Sequence, residues 1–484
     1  MDKKRSLSIN AFLNGLRSCL NLIFPLITFP YVSRVLTVNG VGIYNFSNTY
    51  VGYFLLIASL GISTYAIREG AKYRNDRRKF ELFASQVFSI NVYSTILSYV
   101  LLFLTILIFK NLRNYIICIL IFSIQIIFTT IGTEWIYTIY EDFSYITIRS
   151  IAFKVLSIIL LFLLVKKPSD YYYYAEITVL ASVGSNLLNY LHLRQFMSLK
   201  FTNKINWQRH LKPILIIFAS QLAVNIYVYS DNTLLGLLKN DYAVGIYSIS
   251  VKIYTVAQGM LTAVLAVTIP RLAVLYGKKL FERFNRLLNN LVSVLLVLAL
   301  PAITGLIVLS KDIVTVIASK KYINSVTSLQ IISVAIAFSI LSWIFSECVL
   351  IPAKRENYVL RSTIITACFN VLLNLILIPI WSYDGTALST VLSELLSATM
   401  NAYYGRDILE NAHISKDIIK LIIDSITGCV GIIVVCLGVR TVIQNVVLQI
   451  IISVLFSVII YGFILLILRN KVMIQFFGYL RKRF

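Results

Sequence analysis

The sequence predicts an all-α, polytopic membrane protein with about fourteen transmembrane helices. Hydrophobic residues make up 58% of the 484 residues, charged residues only 13%, and the mean hydropathy is +0.82. The apolar residues occur in long runs rather than in alternation, and about 20 apolar residues are what one helix needs to cross a bilayer. A short motif that occurs twice further indicates that one helical unit is used twice.

The predicted spans follow one another with short connections. Each is an apolar run of about 18 to 25 residues bounded by polar or charged residues. The first run carries Arg17 and is too long for the apolar core of a signal peptide, so we expect it to be a helix of the protein itself. No connection is long enough for a separate soluble domain. The runs lie at residues 10–34, 42–66, 83–109, 115–140, 146–165, 172–194, 211–238, 245–270, 286–309, 326–350, 358–380, 386–405, 417–438 and 446–468.

The tetrapeptide Val-Gly-Ile-Tyr at residues 41–44 occurs again, unchanged, at residues 244–247. Each copy opens an apolar run that ends at an arginine followed by a basic loop. A second match pairs Thr-Val-Leu at residues 178–180 with the same tripeptide at residues 390–392, in the sixth and twelfth spans. These repeats predict that spans 1–6 and spans 7–12 are two copies of one unit.

The repeats also predict the domain organisation. An even number of crossings brings both copies into the membrane in the same direction, so a pseudo-two-fold axis along the membrane normal should relate them. We therefore expect an N-lobe at residues 1–200 (spans 1–6) and a C-lobe at residues 201–410 (spans 7–12). Spans 13 and 14 have no counterpart, and we expect residues 411–484 to form an appended helix hairpin with a basic tail.

The net charge of +23 could suggest a nucleic-acid partner, but the positions of the 44 Lys and Arg argue against one. Most of them fall in alternate short loops and in the tail, which is the pattern of the positive-inside rule. The sequence therefore predicts a multi-pass protein with both termini in the cytoplasm and no nucleic-acid partner.

Motifs for catalysis and for metal binding are missing from the sequence. It has no G-x-x-x-x-G-K-[ST] loop, and its three histidines fall at predicted helix ends away from any Cys cluster. We expect a secondary transporter with no cofactor and no metal site, rather than a pump or an enzyme.

Three basic residues lie inside predicted spans: Arg17, Lys154 and Lys252. Each lies about 10–12 Å from the nearer end of its span, so its side chain could either reach the interface or face a cavity. Taken together, three cations from both halves predict an anionic headgroup held between the lobes. Arg34 and Arg149 are predicted to contribute at the two mouths or to anchor helix ends.

Three acidic residues are also predicted to lie within spans: Glu134, Asp231 and Glu394. We expect them to bind a coupling ion, H⁺ or Na⁺, or to pair with basic side chains. For Glu134, an ion pair with Lys154 and a role in substrate binding are equally good explanations. Glu394 lies near the midplane, where its carboxylate cannot reach the interface.

Trp135 and Tyr137 lie within one helical turn of Glu134. Their rings could stack on the face of a sugar, but packing in the protein core is the explanation that the sequence favours. Both interpretations stay open at this point.

Several stretches resemble the polysaccharide flippases of the multidrug/oligosaccharidyl-lipid/polysaccharide exporter superfamily. The strongest are Glu-Trp-Ile-Tyr at residues 134–137 and the segment 141–149, which ends Tyr-Ile-Thr-Ile-Arg. Two loops and one turn are also similar to that family, at residues 67–74, 350–356 and 373–387. The resemblance covers most of residues 1–410, whereas spans 13 and 14 are less distinctive.

This resemblance implies two six-helix lobes around a central cavity and no hydrolysed cofactor. It also implies transfer of an oligosaccharide linked to undecaprenyl diphosphate to the outer leaflet of a bacterial plasma membrane, for capsule or another surface polysaccharide. A monomer in membrane lipid is expected, with a polysaccharide polymerase as an additional partner.

Residues and resemblance together lead to one hypothesis with two alternatives. Arg17, Lys154 and Lys252 would hold the diphosphate, and Asp231 or Glu394 would bind the coupling ion. Trp135 and Tyr137 would line the path of the sugar. A drug/cation antiporter of the same superfamily is the first alternative, and it should have a mainly acidic cavity. A membrane polysaccharide polymerase is the second, but it usually needs a long outer loop.

Overall fold

A computed structural model describes residues 24–475, except residues 26 and 412–416. All regular elements within these residues are helices, and a helical segment at residues 27–35 precedes the first numbered one. The chain separates into two compact units, one extending to Gly245 and the other starting at Ile246. Each unit is described by itself.

The helices of the first unit have the following bounds: α1 Val38–Ser59, α2 Ile62–Gly70, α3 Arg77–Ile108, α4 Ile116–Gly132, α5 Glu134–Ile139, α6 Phe143–Leu164, α7 Tyr171–Phe196 and α8 Trp207–Leu238. Helix α1 packs against α3, α4 and α8, and α7 packs against α4 and α6. Helix α9 (Asp241–Gly277) begins in the first unit and continues into the second.

Several helices begin where a side chain can accept a hydrogen bond from the free amide groups of the first turn. Thr37 accepts from the amide of Gly40, and Asp76 accepts from the amide of Lys79. Asn206 does the same at the start of α8. These residue types are the ones that helix starts favour, since their short side chains satisfy amides that no helical carbonyl can reach.

The second predicted span is broken between α1 and α2. Leu60 and Gly61 both adopt left-handed backbone angles, with φ values of 47° and 71°. A break inside a membrane frees carbonyl groups that need donors. The carbonyl of Ala58 accepts hydrogen bonds from Asn91 Nδ2 at 2.8 Å and from Ser94 Oγ at 2.6 Å, both on α3. Polar residues of the neighbouring helix therefore stabilise the break.

The fourth predicted span is broken as well, between α4 and α5. Thr133 has a φ of 40°, and a side chain at the preceding Gly132 would lie 2.6 Å from the side chain of Asn186 on α7. The close approach of α7 thus requires glycine at this position. The break separates the short helix α5 from α4.

The two copies of the repeated tetrapeptide meet in the structure. A side chain at Gly42 would lie 1.8 Å from the carbonyl oxygen of Asp241, and a side chain at Gly245 would lie 2.2 Å from that of Val38. Val38 and Asp241 are separated by the same interval as Gly42 and Gly245. The contact is thus reciprocal, which is what a duplicated unit produces when equivalent positions pack against each other.

The second unit contains the rest of α9 and seven further helices: α10 Phe281–Val308, α11 Ser310–Ala318, α12 Ser325–Trp343, α13 Glu356–Tyr404, α14 Arg406–Asn411, α15 Asp417–Val442 and α16 Val446–Ile467. A π-helical segment at Ile344–Leu350 extends α12. Ser382, with φ 51° and ψ −129°, kinks α13 into two halves that pack against α12 and correspond to predicted spans 11 and 12.

The predicted C-terminal hairpin, α15 and α16, packs onto α10. Its apolar contacts include Leu421, Cys429 and Leu465. Tyr461 donates a hydrogen bond to the carbonyl of Val297 at 2.8 Å, and Gln449 donates to the buried Asp312 at 3.2 Å. The hairpin is therefore part of the compact second unit.

The structure confirms the predicted fold class of an all-α polytopic membrane protein. Among the described residues, eleven helices are long and apolar enough to cross a membrane. One of these eleven helices, α13, contains two predicted spans. The more polar sixth span corresponds to α7, which is not among the eleven, and the first span lies mostly outside the described residues. The predicted lobe boundaries near residues 200 and 410 stay predictions, although α8, assigned to the C-lobe, packs against α1.

Candidate functional site

The break before α5 brings four aromatic or basic side chains together within the first unit. The buried hydroxyl of Tyr137 donates to the carbonyl of Asn189 at 2.7 Å. The Tyr137 ring stacks on Tyr145, with ring centroids 5.4 Å apart, and Tyr145 stacks on His192 at 4.2 Å. The guanidinium of Arg149 lies 5.5 Å from the centroid of the Tyr145 ring. We call Tyr137, Tyr145, Arg149 and His192 the aromatic cluster.

Arg149 is the cation of this cluster, and only 6% of it is exposed. A guanidinium over an aromatic ring is attracted by the negative face of the ring, and the attraction grows when water is excluded. The structure therefore brings two predicted site residues, Tyr137 and Arg149, to one place. His192 and Tyr145 were not singled out from the sequence, although the spacing of three residues between Asn189 and His192 places both on one face of α7.

Glu134 and Trp135 begin the same short helix, but their surroundings differ. Glu134 is half-buried in the first turn, beside the buried hydroxyl of Thr133, which has no hydrogen-bond partner among the described residues. Trp135 is buried in a hydrophobic cluster with Tyr65, Phe80 and other core residues. Its position agrees with the packing interpretation, and contact with a sugar stays a prediction.

The other predicted residues of the first unit lie on different helices. Lys154 is half-buried on α6, five residues after Arg149, and Arg34 is exposed in the segment 27–35. Asp231 is half-buried on α8. Arg17 lies outside the described residues, so its predicted contact with the headgroup stays a prediction.

Lys252 and Glu394 belong to the second unit. Lys252 is half-buried on α9, and Glu394, on the second half of α13, is 9% exposed. Buried amides and hydroxyls that were not predicted occur on the same helix α13. Ser389 donates to Asn374 at 2.7 Å, and Asn374 donates to Asn370 at 3.1 Å. The spacing of four residues between the two asparagines, within an apolar span, is the sequence signal that could have identified them.

The loop motifs of the resemblance contain ion pairs at helix ends. Arg74 pairs with Glu141 at 2.7 Å. Arg355 donates two hydrogen bonds of 2.7 Å to the carboxylate of Asp407 and holds the pKa of that carboxyl below its usual range. Arg74 thus connects the loop 71–76 to the turn between α5 and α6, and Arg355 connects the loop 351–355 to α14.

No group of three or more His, Cys, Asp or Glu side chains that could hold a metal ion is found in the part of the chain that the structure describes. What the first unit does provide is a buried cation beside stacked rings. This arrangement can bind an anionic group by charge and a planar or apolar face by stacking.

Comparison with known families identifies the chain. Residues 8–275 match the family model described as polysaccharide biosynthesis protein. The chain belongs to this family. A candidate O-antigen transporter of Shigella dysenteriae is 24% identical over 391 residues, which cover 78% of this chain and 94% of that protein. The capsular polysaccharide biosynthesis protein CapF of Staphylococcus aureus is 22% identical, with 77% and 92% covered.

Solved structures of transporters share the fold of this family member. The lipid II flippase MurJ, in an inward closed conformation, superposes with a TM-score of 0.73 at 16% identity, covering 94% of this chain and 98% of that one. An inward-facing multidrug resistance transporter of the MATE family gives 0.60 at 14% identity, with 81% and 95% covered. The family match and the relatives confirm the resemblance that the sequence predicted, and the solved structures show that the fold is shared. The relatives and neighbours that are named for an activity are transporters rather than enzymes.

Proposed function

We propose that this protein is a flippase that moves oligosaccharides linked to undecaprenyl diphosphate from the inner to the outer leaflet of a bacterial plasma membrane, for capsule or another surface polysaccharide. Both termini would lie in the cytoplasm, and the protein would act as a monomer beside a polysaccharide polymerase. The observation that supports this proposal most is the buried Arg149 on the stacked rings of the aromatic cluster, in a chain of the polysaccharide biosynthesis family.

The physical task of such a flippase is to hide the sugar from hydrocarbon. Each hydroxyl that loses its hydrogen bonds in an apolar medium costs about 2–7 kcal/mol, so an oligosaccharide does not cross a bilayer unaided. A hydrated cavity removes this cost while the lipid tail stays in the bilayer. The two predicted lobes would open alternately to the two sides of the membrane.

Basic side chains would hold the diphosphate, which is common to all substrates of this kind. Arg17, Lys154 and Lys252 are proposed for this role, with Arg34 and Arg149 near the two mouths. Asp231 or Glu394 would bind the coupling ion or pair with a cation, and Glu134 would do the same, with Lys154 as its basic partner. Each of these charges is expensive inside a membrane unless it has such a task or a partner.

The membrane potential offers an energy source. Moving about two negative charges outward across about 100 mV, negative inside, releases on the order of 4–5 kcal/mol. Each monovalent cation that leaves together with the headgroup removes about half of this gain. Transport that continues in liposomes at zero potential without any ion gradient would contradict this part of the proposal.

Export of lipid-linked sugar in cells tests the proposal. The triple variant Arg17→Ala, Lys154→Ala and Lys252→Ala should abolish export and leave the lipid-linked glycan in the inner leaflet. The matched control is Arg286→Ala, because Arg286 is exposed and its nearest carboxylate oxygen, on Glu282, is 3.8 Å away. Export by the triple variant at the level of the control would reject the proposed role of the cations.

A further inference from the structure

Helix α8 is unusually open for a membrane-spanning helix. Only 11% of its most apolar stretch is buried, the smallest share among the candidate spans of the described residues. Yet α8 carries Gln221 and Asn225, both half-buried, on one face. Amide side chains in such a place need water or a polar ligand, since acyl chains offer them no hydrogen bonds.

Polar side chains of α1 and α2 lie along the edge where these helices meet α8. Gln221 Nε2 donates to Thr64 Oγ1 on α2 at 3.4 Å, and both side chains are accessible. Asn48 is exposed on α1, one turn before Gly52, against which the Tyr229 ring of α8 packs. We call Asn48, Thr64, Gln221 and Asn225 the polar seam; Gly52 and Tyr229 border it.

The polar seam lies at the depth of the membrane interior. The contact of Gly42 with Asp241 places the start of α1 beside the end of α8, so depth can be measured from this level along both helices. At 1.5 Å per residue, counted from Gly42 and from Asp241, Asn48 lies about 9 Å from it, Asn225 about 24 Å and Gln221 about 30 Å. Asn48 and Asn225 thus fall within the roughly 30 Å of a hydrocarbon core, and Gln221 lies at its far limit.

The hydrogen bonds that the polar seam makes within the protein are easily replaced. The Gln221–Thr64 bond is long at 3.4 Å, and Asn225 donates only to the carbonyl of Gln221 in its own helix. Donors held in this way can turn to a ligand at little cost. An amide offers a donor and an acceptor at once, which matches the hydroxyl groups of a sugar.

We infer that the polar seam is the surface that recognises the sugar part of the transported lipid and sets specificity among glycans. This inference rests on the proposed flippase function. All four residues of the polar seam are uncharged, so they contribute no charge to the binding of the diphosphate, which every substrate shares. A site built to hydrogen-bond hydroxyl groups rejects ligands that lack them, because its own polar groups are then left unpaired.

The test uses the full-length protein in liposomes and two probes. One is the polyprenyl-diphosphate oligosaccharide extracted from the cells that express the protein, and the other is polyprenyl diphosphate bearing a single sugar. The double variant Gln221→Leu and Asn225→Leu should slow flipping of the oligosaccharide lipid at least tenfold and leave the single-sugar lipid within twofold of wild type. The control is Gln208→Leu, an exposed glutamine in the first turn of the same helix.

The possible outcomes separate this inference from the function on which it rests. If the unaltered protein flips neither probe, the proposed function fails. Suppose that the unaltered protein flips both probes. The polar seam does not recognise the glycan if the double variant flips both probes at wild-type rates. The same conclusion follows if the double variant flips both probes more slowly to the same extent while its melting temperature is unchanged. If the double variant unfolds, Asn48→Leu alone must show the selective loss, because Asn48 is exposed, and a uniform effect would overturn the inference.

Discussion

Alanine at Gly42 should push apart the starts of α1 and α9, and the structure gives the size of the effect. The new Cβ would lie 1.8 Å from the carbonyl oxygen of Asp241, whereas ordinary contact begins at 3.4 Å, so the backbones must separate by about 1.6 Å. No rotamer change can relieve this clash, because the neighbouring atom belongs to the backbone. Overpacking of this kind costs about 1–3 kcal/mol.

The matched control is Gly305→Ala in α10, where nothing lies within 4 Å of the added carbon. Both substitutions replace helical glycine by alanine and gain about 0.5–1 kcal/mol from helix propensity. The difference in stability between the two variants therefore isolates the cost of overpacking. At about 2–4 °C per kcal/mol, the melting temperature of Gly42→Ala should be several degrees lower than that of Gly305→Ala. A melting temperature equal to or above that of Gly305→Ala would refute the reasoning.

Three further predictions concern the helix break, the aromatic cluster and a loop ion pair. Replacing both Asn91 and Ser94 by Ala should lower stability by about 1–3 kcal/mol, measured by thermal unfolding, because a buried carbonyl loses its donors. Arg149→Lys should transport less glycan than wild type but more than Arg149→Ala in an export assay, because it keeps the charge and loses the planar stacking. Because the pKa of Asp407 is lowered in the folded protein, its contact with Arg355 stabilises the fold fully at pH values above the unfolded carboxyl pKa of about 3.9. This stabilisation is lost as the pH falls through the lower pKa of the folded state. Asp407→Asn should therefore flatten the acid side of the stability curve, by no more than about 1 kcal/mol for so exposed a pair; an unchanged curve would contradict this.

The sequence predicted the helical fold well because the bilayer permits few alternatives. A run of about 20 apolar residues must become a helix, so hydropathy located the spans, and the glycines of the repeated tetrapeptide marked a real helix contact. The breaks at Leu60 and Thr133 were not predicted. Neither is a residue type that favours left-handed backbone angles, and the donors that stabilise the first break lie on the next helix.

The site was harder to predict than the fold. Arg149 was recognised as a charge near a span, but the rings that hold it come from α5, α6 and α7, and no sequence pattern fixes how these helices pack. Trp135 shows the opposite difficulty. Its neighbour Tyr137 belongs to the aromatic cluster, while Trp135 is buried in the hydrophobic core, and only the orientation of the short helix α5 separates the two.

The break between α1 and α2 has a consequence for biosynthesis. The Ala58 carbonyl receives its hydrogen bonds from Asn91 and Ser94, which leave the ribosome more than thirty residues later. Until those side chains have entered the bilayer, the stretch around Leu60 must satisfy its own carbonyls and is best kept as a continuous helix. A nascent chain arrested before α3 should therefore hold this segment straight, and the bend should form only when the following helix has been inserted.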